Sequence, residues 1–349
     1  MAYTTINKST DYFNTVLYTG NGSANHTITG VGFNADLVWN KNRGGTDDHR
    51  LFDQVRGITK YVKSNNADAE VTDAILATNS DGYVLANAGE VNANNGNFVG
   101  WNWKAGTTGS GTTTGSGTGK AYSYSVSTTS AFSIVKYVGN GTAGHQIPHH
   151  LGVKPKMVWV KSTSHATDWM VGSDELGVGN AWDKYIYLND TASVADHPMW
   201  NDTYPSTTTV SLGTHSYVNE NDRTYIMYLF SDVVGYSKIG SYTGNGDANG
   251  PFVYTGFKPS LILAKRLDAN AGWILFDNKR LGYNGGNYWV DPQNFDAEIT
   301  DATGMFDQLS NGFKIRSTFG SRNTSGGTYM YMAIGQSLVS SNGVTAKAR

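Results

Sequence analysis

One short pattern, Tyr-x-Gly-Asn-Gly, occurs three times in this chain: Tyr18-Thr-Gly-Asn-Gly22, Tyr137-Val-Gly-Asn-Gly141 and Tyr242-Thr-Gly-Asn-Gly246. The copies begin 119 and 105 residues apart, so each period has the size of a small domain rather than of a solenoid repeat. A second element follows in register 19 or 20 residues later: Leu37-Val-Trp-Asn-Lys41, Met157-Val-Trp-Val-Lys161 and Leu261-Ile-Leu-Ala-Lys265. An apolar run of four after a Gly- or Pro-punctuated stretch predicts a strand that leaves the core at its lysine. A third element is Leu51-Phe-Asp53, Trp169-Met-Val171 and Trp273-Ile-Leu-Phe-Asp277. It is followed by Arg56-Gly57, Leu176-Gly177 and Arg280-Leu-Gly282.

The copies close on Asn92, Asn219 and Asn323, each six residues before an aromatic. Strands are predicted there: Phe98-Val-Gly-Trp-Asn-Trp103, Tyr225-Ile-Met-Tyr-Leu-Phe230 and Tyr329-Met-Tyr-Met-Ala-Ile334. A strand that is apolar on both faces belongs in the middle of a sandwich or in an assembly interface. The expectation drawn from these strands is a homo-oligomer, specifically a homotrimer.

The chain has 42 Gly, 9 Trp, 21 Tyr and 13 Phe, and few helix-favouring residues. Aromatic and β-branched side chains fit a pleated surface, and Gly and Asn supply turns with positive φ. The reading is all-β: three tandem β-sandwich (jelly-roll-like) modules of seven or eight short strands. The modules span 1–105, 126–236 and 237–349, with a Gly/Thr/Ser linker at 106–125. The linker composition predicts a flexible tether. Modules two and three, joined by the shorter Val233-Val-Gly-Tyr-Ser-Lys-Ile-Gly240, are expected to pack closely, with module one apart.

With no cysteine, disulfides, thiolate metal sites and cysteine nucleophiles are excluded. A net charge of −2 and 15% charged residues give no footprint for nucleic acid or anionic membrane. The N-terminus has no charged-then-apolar leader, and no apolar run approaches a membrane span. No GxSxG, HExxH or GxxxxGK[ST] motif is present, and the chain is read as not an enzyme. Three histidines, His145, His149 and His150, cluster closely enough to suggest a transition-metal site, against the plainer reading of a solvated loop. Oxygen-rich stretches could hold calcium as a cofactor: Asp47-Asp48, Asp68-Ala-Glu70 with Asp73, Asp296-Ala-Glu298 with Asp301, and Asn219-Glu-Asn-Asp222. The alternative is that these side chains cap turns. A carboxylate pair among them would also be needed for glycoside hydrolysis, but nothing selects one. Trp182, Trp200, Tyr204 and Trp289 fall in less regular segments and are the candidate surface aromatics for stacking on sugar rings.

Several stretches carry a resemblance: the opening Met-Ala-Tyr-Thr-Thr-Ile6, Gly235-Tyr-Ser-Lys-Ile-Gly-Ser-Tyr-Thr-Gly-Asn-Gly246, Pro251-Phe-Val-Tyr-Thr-Gly-Phe-Lys-Pro259 and Asn311-Gly-Phe-Lys-Ile-Arg316. Together with the three boxes they resemble an uncharacterised β-rich domain family of tailed-phage virion proteins from marine and freshwater bacteria. The resemblance covers nearly the whole chain. It implies a virion protein, grouped with tail-fibre or other particle structural proteins, and supplies no catalytic residues. The function expected is a tail-fibre or receptor-binding protein on the particle exterior, adhering to host-surface glycan and contacting other virion proteins. The alternatives are a capsid decoration protein and a carbohydrate-active depolymerase.

Overall fold

The computed structural model describes residues 4–72, 74–177, 179–280, 284–301 and 305–337. Among these the protein is all-β, built from antiparallel sheets with only four-residue α-helices and short 3-10 turns. Each large sheet is accompanied by a three-stranded sheet, and three such sandwiches follow one another along the chain.

In the first sandwich the opening strand Phe13–Thr19 pairs with the closing strand Asn97–Trp103. The closing strand then pairs with Leu37–Asn42, and Arg50–Asp53, Lys60–Lys63 and Val71–Thr72 follow in order. The small sheet is His26–Ile28, Gly82–Leu85 and Ile75–Asn79. The third sandwich has the same strand order, from the opening strand Ser237–Thr243 through the closing strand Thr328–Ser337, Phe257–Arg266, Ile274–Asp277, Asn287–Val290 and Ile299–Asp301. The second keeps this order and adds strands at one side.

The Tyr-x-Gly-Asn-Gly box is the corner of each sandwich. Its first glycine (Gly20, Gly139, Gly244) has no room for a Cβ, which would lie 2.2–2.3 Å from a backbone carbonyl oxygen. Its second glycine (Gly22, Gly141, Gly246) has φ of 64°, 72° and 75°, where L-residues are strained. The tyrosine hydroxyls donate to Val91 O, Val218 O and Arg322 O. Their rings stack on Phe98, Tyr225 and Tyr329 at 5.1, 5.2 and 4.8 Å. Asn92, Asn219 and Asn323 are buried behind the box and accept from the backbone N–H of Asn21, Asn140 and Asn245 at 2.8–3.0 Å. The motif is repeated because the corner is repeated.

The three sandwiches close into a ring within the one chain. Backbone bonds join each pair: Glu70 N–H to Thr163 O, Val194 N–H to Leu267 O and Glu298 N–H to Arg43 O, at 3.0, 3.0 and 2.8 Å. The lysines expected to leave the core do not do so. Lys41, Lys161 and Lys265 are buried and reach into the neighbouring sandwich. Their ammonium groups donate to Phe295 O, to Ala67 O, and to Thr191 O with Ala192 O, respectively. Burial pushes all three down to about 8, while the carbonyl dipoles partly replace lost water. Trp169 Nε1 and Trp273 Nε1 make equivalent crossings, to Lys63 O and Tyr187 O, both at 2.7 Å.

A shared core fills the centre of the ring. Trp39 and Trp101 from the first sandwich, Trp159 and Tyr228 from the second, and Leu263 and Met332 from the third belong to one continuous cluster. Trp39 meets Trp159 edge-on at 5.9 Å. The first and third sandwiches each keep a separate internal core as well. The closing strands are therefore apolar on both faces because one face packs in its own sandwich and the other in the joint core. This covers within the chain the surface that had suggested a homotrimer.

Two further expectations are corrected. Residues 106–125 are not a flexible tether: Thr107–Thr112 and Ala121–Ser127 extend the large sheet of the second sandwich, and Thr114–Gly115 adds to its small sheet. Glycine and threonine there leave the backbone free to pair, and the neighbouring sheet edge supplies the donors and acceptors. Nor does the first sandwich stand apart, since it contacts both others. Among the described residues no helix is long and apolar enough to cross a membrane.

Candidate binding slots at the sandwich junctions

Three of the four aromatics expected at the surface are inside. Trp182 and Trp200 have no exposure and meet edge-on at 5.6 Å. Their indole N–H groups donate to Asp174 Oδ1 and Lys184 O. Trp289 is buried in the strand Asn287–Val290 beneath the Arg322 guanidinium, 5.0 Å from its ring. An irregular sequence around a tryptophan does not make it exposed, because a large ring gains most by burial. Tyr204 is the exposed one, at 44%, with Lys154 Nζ 4.2 Å above its ring.

The histidines do not converge on a point. His145 bridges Asn219 Oδ1 and Thr113 Oγ1, at 2.8 and 2.6 Å. His149 accepts from Leu151 N–H and donates to Ser206 O. His150 stacks on Tyr124 at 3.7 Å and bonds the Tyr122 hydroxyl. Two of the three thus fasten the 106–127 segment onto the second sandwich, the one sandwich that carries such a segment. Among the described residues no group of three His, Asp or Glu is placed to hold a metal.

Burial holds all three imidazoles below their ordinary range, His149 at about 4. As pH falls through 6.5 the unfolded chain takes up protons that the folded chain refuses, so stability drops between pH 6.5 and about 4. The buried His149 alone accounts for on the order of 1–3 kcal/mol. Urea midpoints at pH 7 and pH 4.5, with amide exchange over 121–127, check this. Equal midpoints and unchanged exchange would refute it.

Most of the carboxylates considered for calcium are paired with cations. Asp48 and Asp68 bond Lys63, Glu70 bonds Arg56 and Lys60, and Glu298 bonds Arg43 and Arg280. Asp73 lies outside the described residues, as does the side chain of Asp301.

These ion pairs mark two of the three junctions. Asp53 and Arg56 form a fully buried pair, and Asp53 also accepts from the Tyr228 hydroxyl of the second sandwich. Asp277 and Arg280 repeat the pair, and Asp277 accepts from Trp101 Nε1 of the first. At the junction of the second and third sandwiches the corresponding residues are Ser173, Leu176 and Met332, with Val194 in place of Glu70 and Glu298. Ionic and hydrogen-bonding groups are replaced together, which removes the charges without leaving one unpaired.

A slot runs along each junction, between the residue before the apolar core strand of one sandwich and the opening strand of the next. In the first slot Ala121–Ser127 lies on the opening strand Phe132–Val138, and Ser125 Oγ donates to Asp36 Oδ1 across the junction. In the slot from the third sandwich to the first, the turn Ser9–Asp11 and Gln336 occupy much of the space, leaving about 200 Å3. The slot from the second sandwich to the third is the roomy one. Two cavities of about 710 and 370 Å3 lie side by side there, sharing Glu175, Ser241 and Tyr242. Leu176, Val194 and Leu267 give the larger an apolar wall, and Phe252 and Tyr254 stand exposed beside the smaller. The sequence signal for this slot was visible as Leu176 in place of arginine, but its meaning depends on the ring.

Fold and junctions define a class: a single-chain ring of three β-sandwiches, with one junction left open among the described residues. Residues 8–337 match the family model described as Domain of unknown function (DUF7483), and the chain belongs to that family. No curated protein matches the sequence.

Proposed function

We propose that this protein is a structural component on the exterior of a tailed-phage particle, and that it serves there as a tail-fibre or receptor-binding protein. The observation that carries the reading is the use of its chemical side chains. Trp39, Trp101, Trp159, Trp169 and Trp273, the three inward lysines and the buried Asp–Arg pairs all go into joining the sandwiches into one body. Rigid β frameworks displaying loops suit adhesion, because little order has to be gained on binding. Tyr204 and Tyr254, 44% and 53% exposed, offer ring faces to a host-surface glycan.

The ring favours one second reading. Three similar sandwiches in cyclic contact fit positions of threefold or quasi-threefold symmetry on a shell, where a decoration protein would clamp major capsid subunits.

Quantifying the chain against the major shell protein in intact particles, with imaging, separates the two. A few copies confined to the tail are expected, with glycan binding weakened in Tyr204→Ala. Hundreds of copies over the shell would replace adhesion with decoration, and absence from particles would refute both.

A further inference from the structure

The second sandwich shows what a filled slot looks like. Its opening strand carries Ala121–Ser127 on its outer edge, and its small sheet carries Thr114–Gly115 beside His145–Pro148. In the third sandwich the equivalent strands, Ser237–Thr243 and Phe252–Tyr254, are both terminal in their sheets. Ser237–Thr243 pairs on one side only, with Thr328–Ser337. On its other side Ser237 is met by Val233, and Asp232 Oδ1 caps Ile239 N–H at 2.8 Å. Strand alternation turns the N–H and C=O of Ser241 and Thr243 to that same side, into the open slot.

Three features distinguish this edge from a merely unpaired one. It borders the two cavities described above. Its small-sheet strand exposes Phe252 and Tyr254, whereas the first sandwich has Thr27 and Thr29 at the corresponding positions. Its opposite wall holds Glu175, which forms no ion pair among the described residues; Asp174 beside it is neutralised by Lys154 and Lys156.

We propose that the slot between the second and third sandwiches receives an extended polypeptide strand of a partner protein, added to the outer edge of Ser237–Thr243 at its Ser241–Thr243 end, in the manner in which Ala121–Ser127 is added to Phe132–Val138. The partner segment is rich in Ser and Thr, alternates small hydroxyl side chains with aromatic ones as Ala121-Tyr-Ser-Tyr-Ser-Val-Ser127 does, and carries a basic residue to face Glu175. Main-chain bonds to the edge supply affinity, and the cavities beside it read the side chains.

The probe is a labelled synthetic peptide of residues 120–128, Lys-Ala-Tyr-Ser-Tyr-Ser-Val-Ser-Thr, titrated into the full chain. The first slot is already filled by the chain's own copy of this segment, so added peptide has the open slot to enter. Saturable binding is expected, with new amide-exchange protection at Ser241 and Thr243. Ser241→Pro removes one outward N–H and should weaken binding about tenfold. Glu175→Lys should weaken it through charge and leaves the backbone intact, so it serves if the proline variant does not fold. No binding at about 1 mM peptide, or protection confined to other strands, would overturn the proposal. So would affinity unchanged in a folded variant of either kind.

Discussion

Replacing Arg280 with alanine is expected to lower the unfolding free energy by about 3–5 kcal/mol. Arg280 and Asp277 are both without side-chain exposure, and Arg280 also donates to Leu275 O and Glu298. Truncation leaves the Asp277 carboxylate buried with only Trp101 Nε1 and nearby backbone N–H groups as donors. The second sandwich shows a different solution at the same place, Ser173 with Leu176. The double variant Asp277→Ser with Arg280→Leu copies it and removes both charges together. It should therefore be less destabilised than Arg280→Ala, although Trp101 loses its acceptor. Urea denaturation of the two variants decides the matter. A cost below about 1 kcal/mol for Arg280→Ala, or a double variant worse than the single, would show that the pair is not what holds this junction.

The second large effect is expected at Asn219. Its Oδ1 takes bonds from Asn140 N–H and His145 Nδ1, and its Nδ2 donates to Thr142 O and Gly213 O. Asn219→Ala strands these buried groups at once, at about 1–3 kcal/mol for each that finds no new partner. A loss of at least about 3 kcal/mol is expected. Asn219→Asp should not rescue it, because a carboxylate would face two carbonyl oxygens. Since His145 also holds Thr113, faster amide exchange should spread from the corner into 107–115. Exchange that stays local in a chain of near-normal stability would mean that the corner tolerates rearrangement.

Much of the strand pattern was legible because local chemistry dictates it. Gly20 and Gly22 admit no other residue without strain or overlap, and Leu37-Val-Trp39 can only be covered on both faces. The all-β reading follows from such residues wherever they sit. The candidate site was far less legible. Trp182, Trp200 and Trp289 look like surface aromatics in their irregular segments, yet each is buried, with Asp174, Lys184 O and the Arg322 guanidinium as partners. The histidine cluster looks like a metal motif until Thr113, Tyr122 and Tyr124 are seen against it.

The corner, the strands and the β class rest on backbone sterics and on side-chain alternation within a few residues, and so can be read locally. Where each second face, lysine and linker strand finds its partner depends on residues far away in the chain. Lys41 meets Phe295 O, Asp277 meets Trp101, and 121–127 meets 132–138, through contacts that hydrophobic burial and the closure of the ring bring together. Burial is non-directional, so the same apolar strand serves an interface between chains or within one. Three sandwiches on a single chain are already at high local concentration, and their faces close on each other.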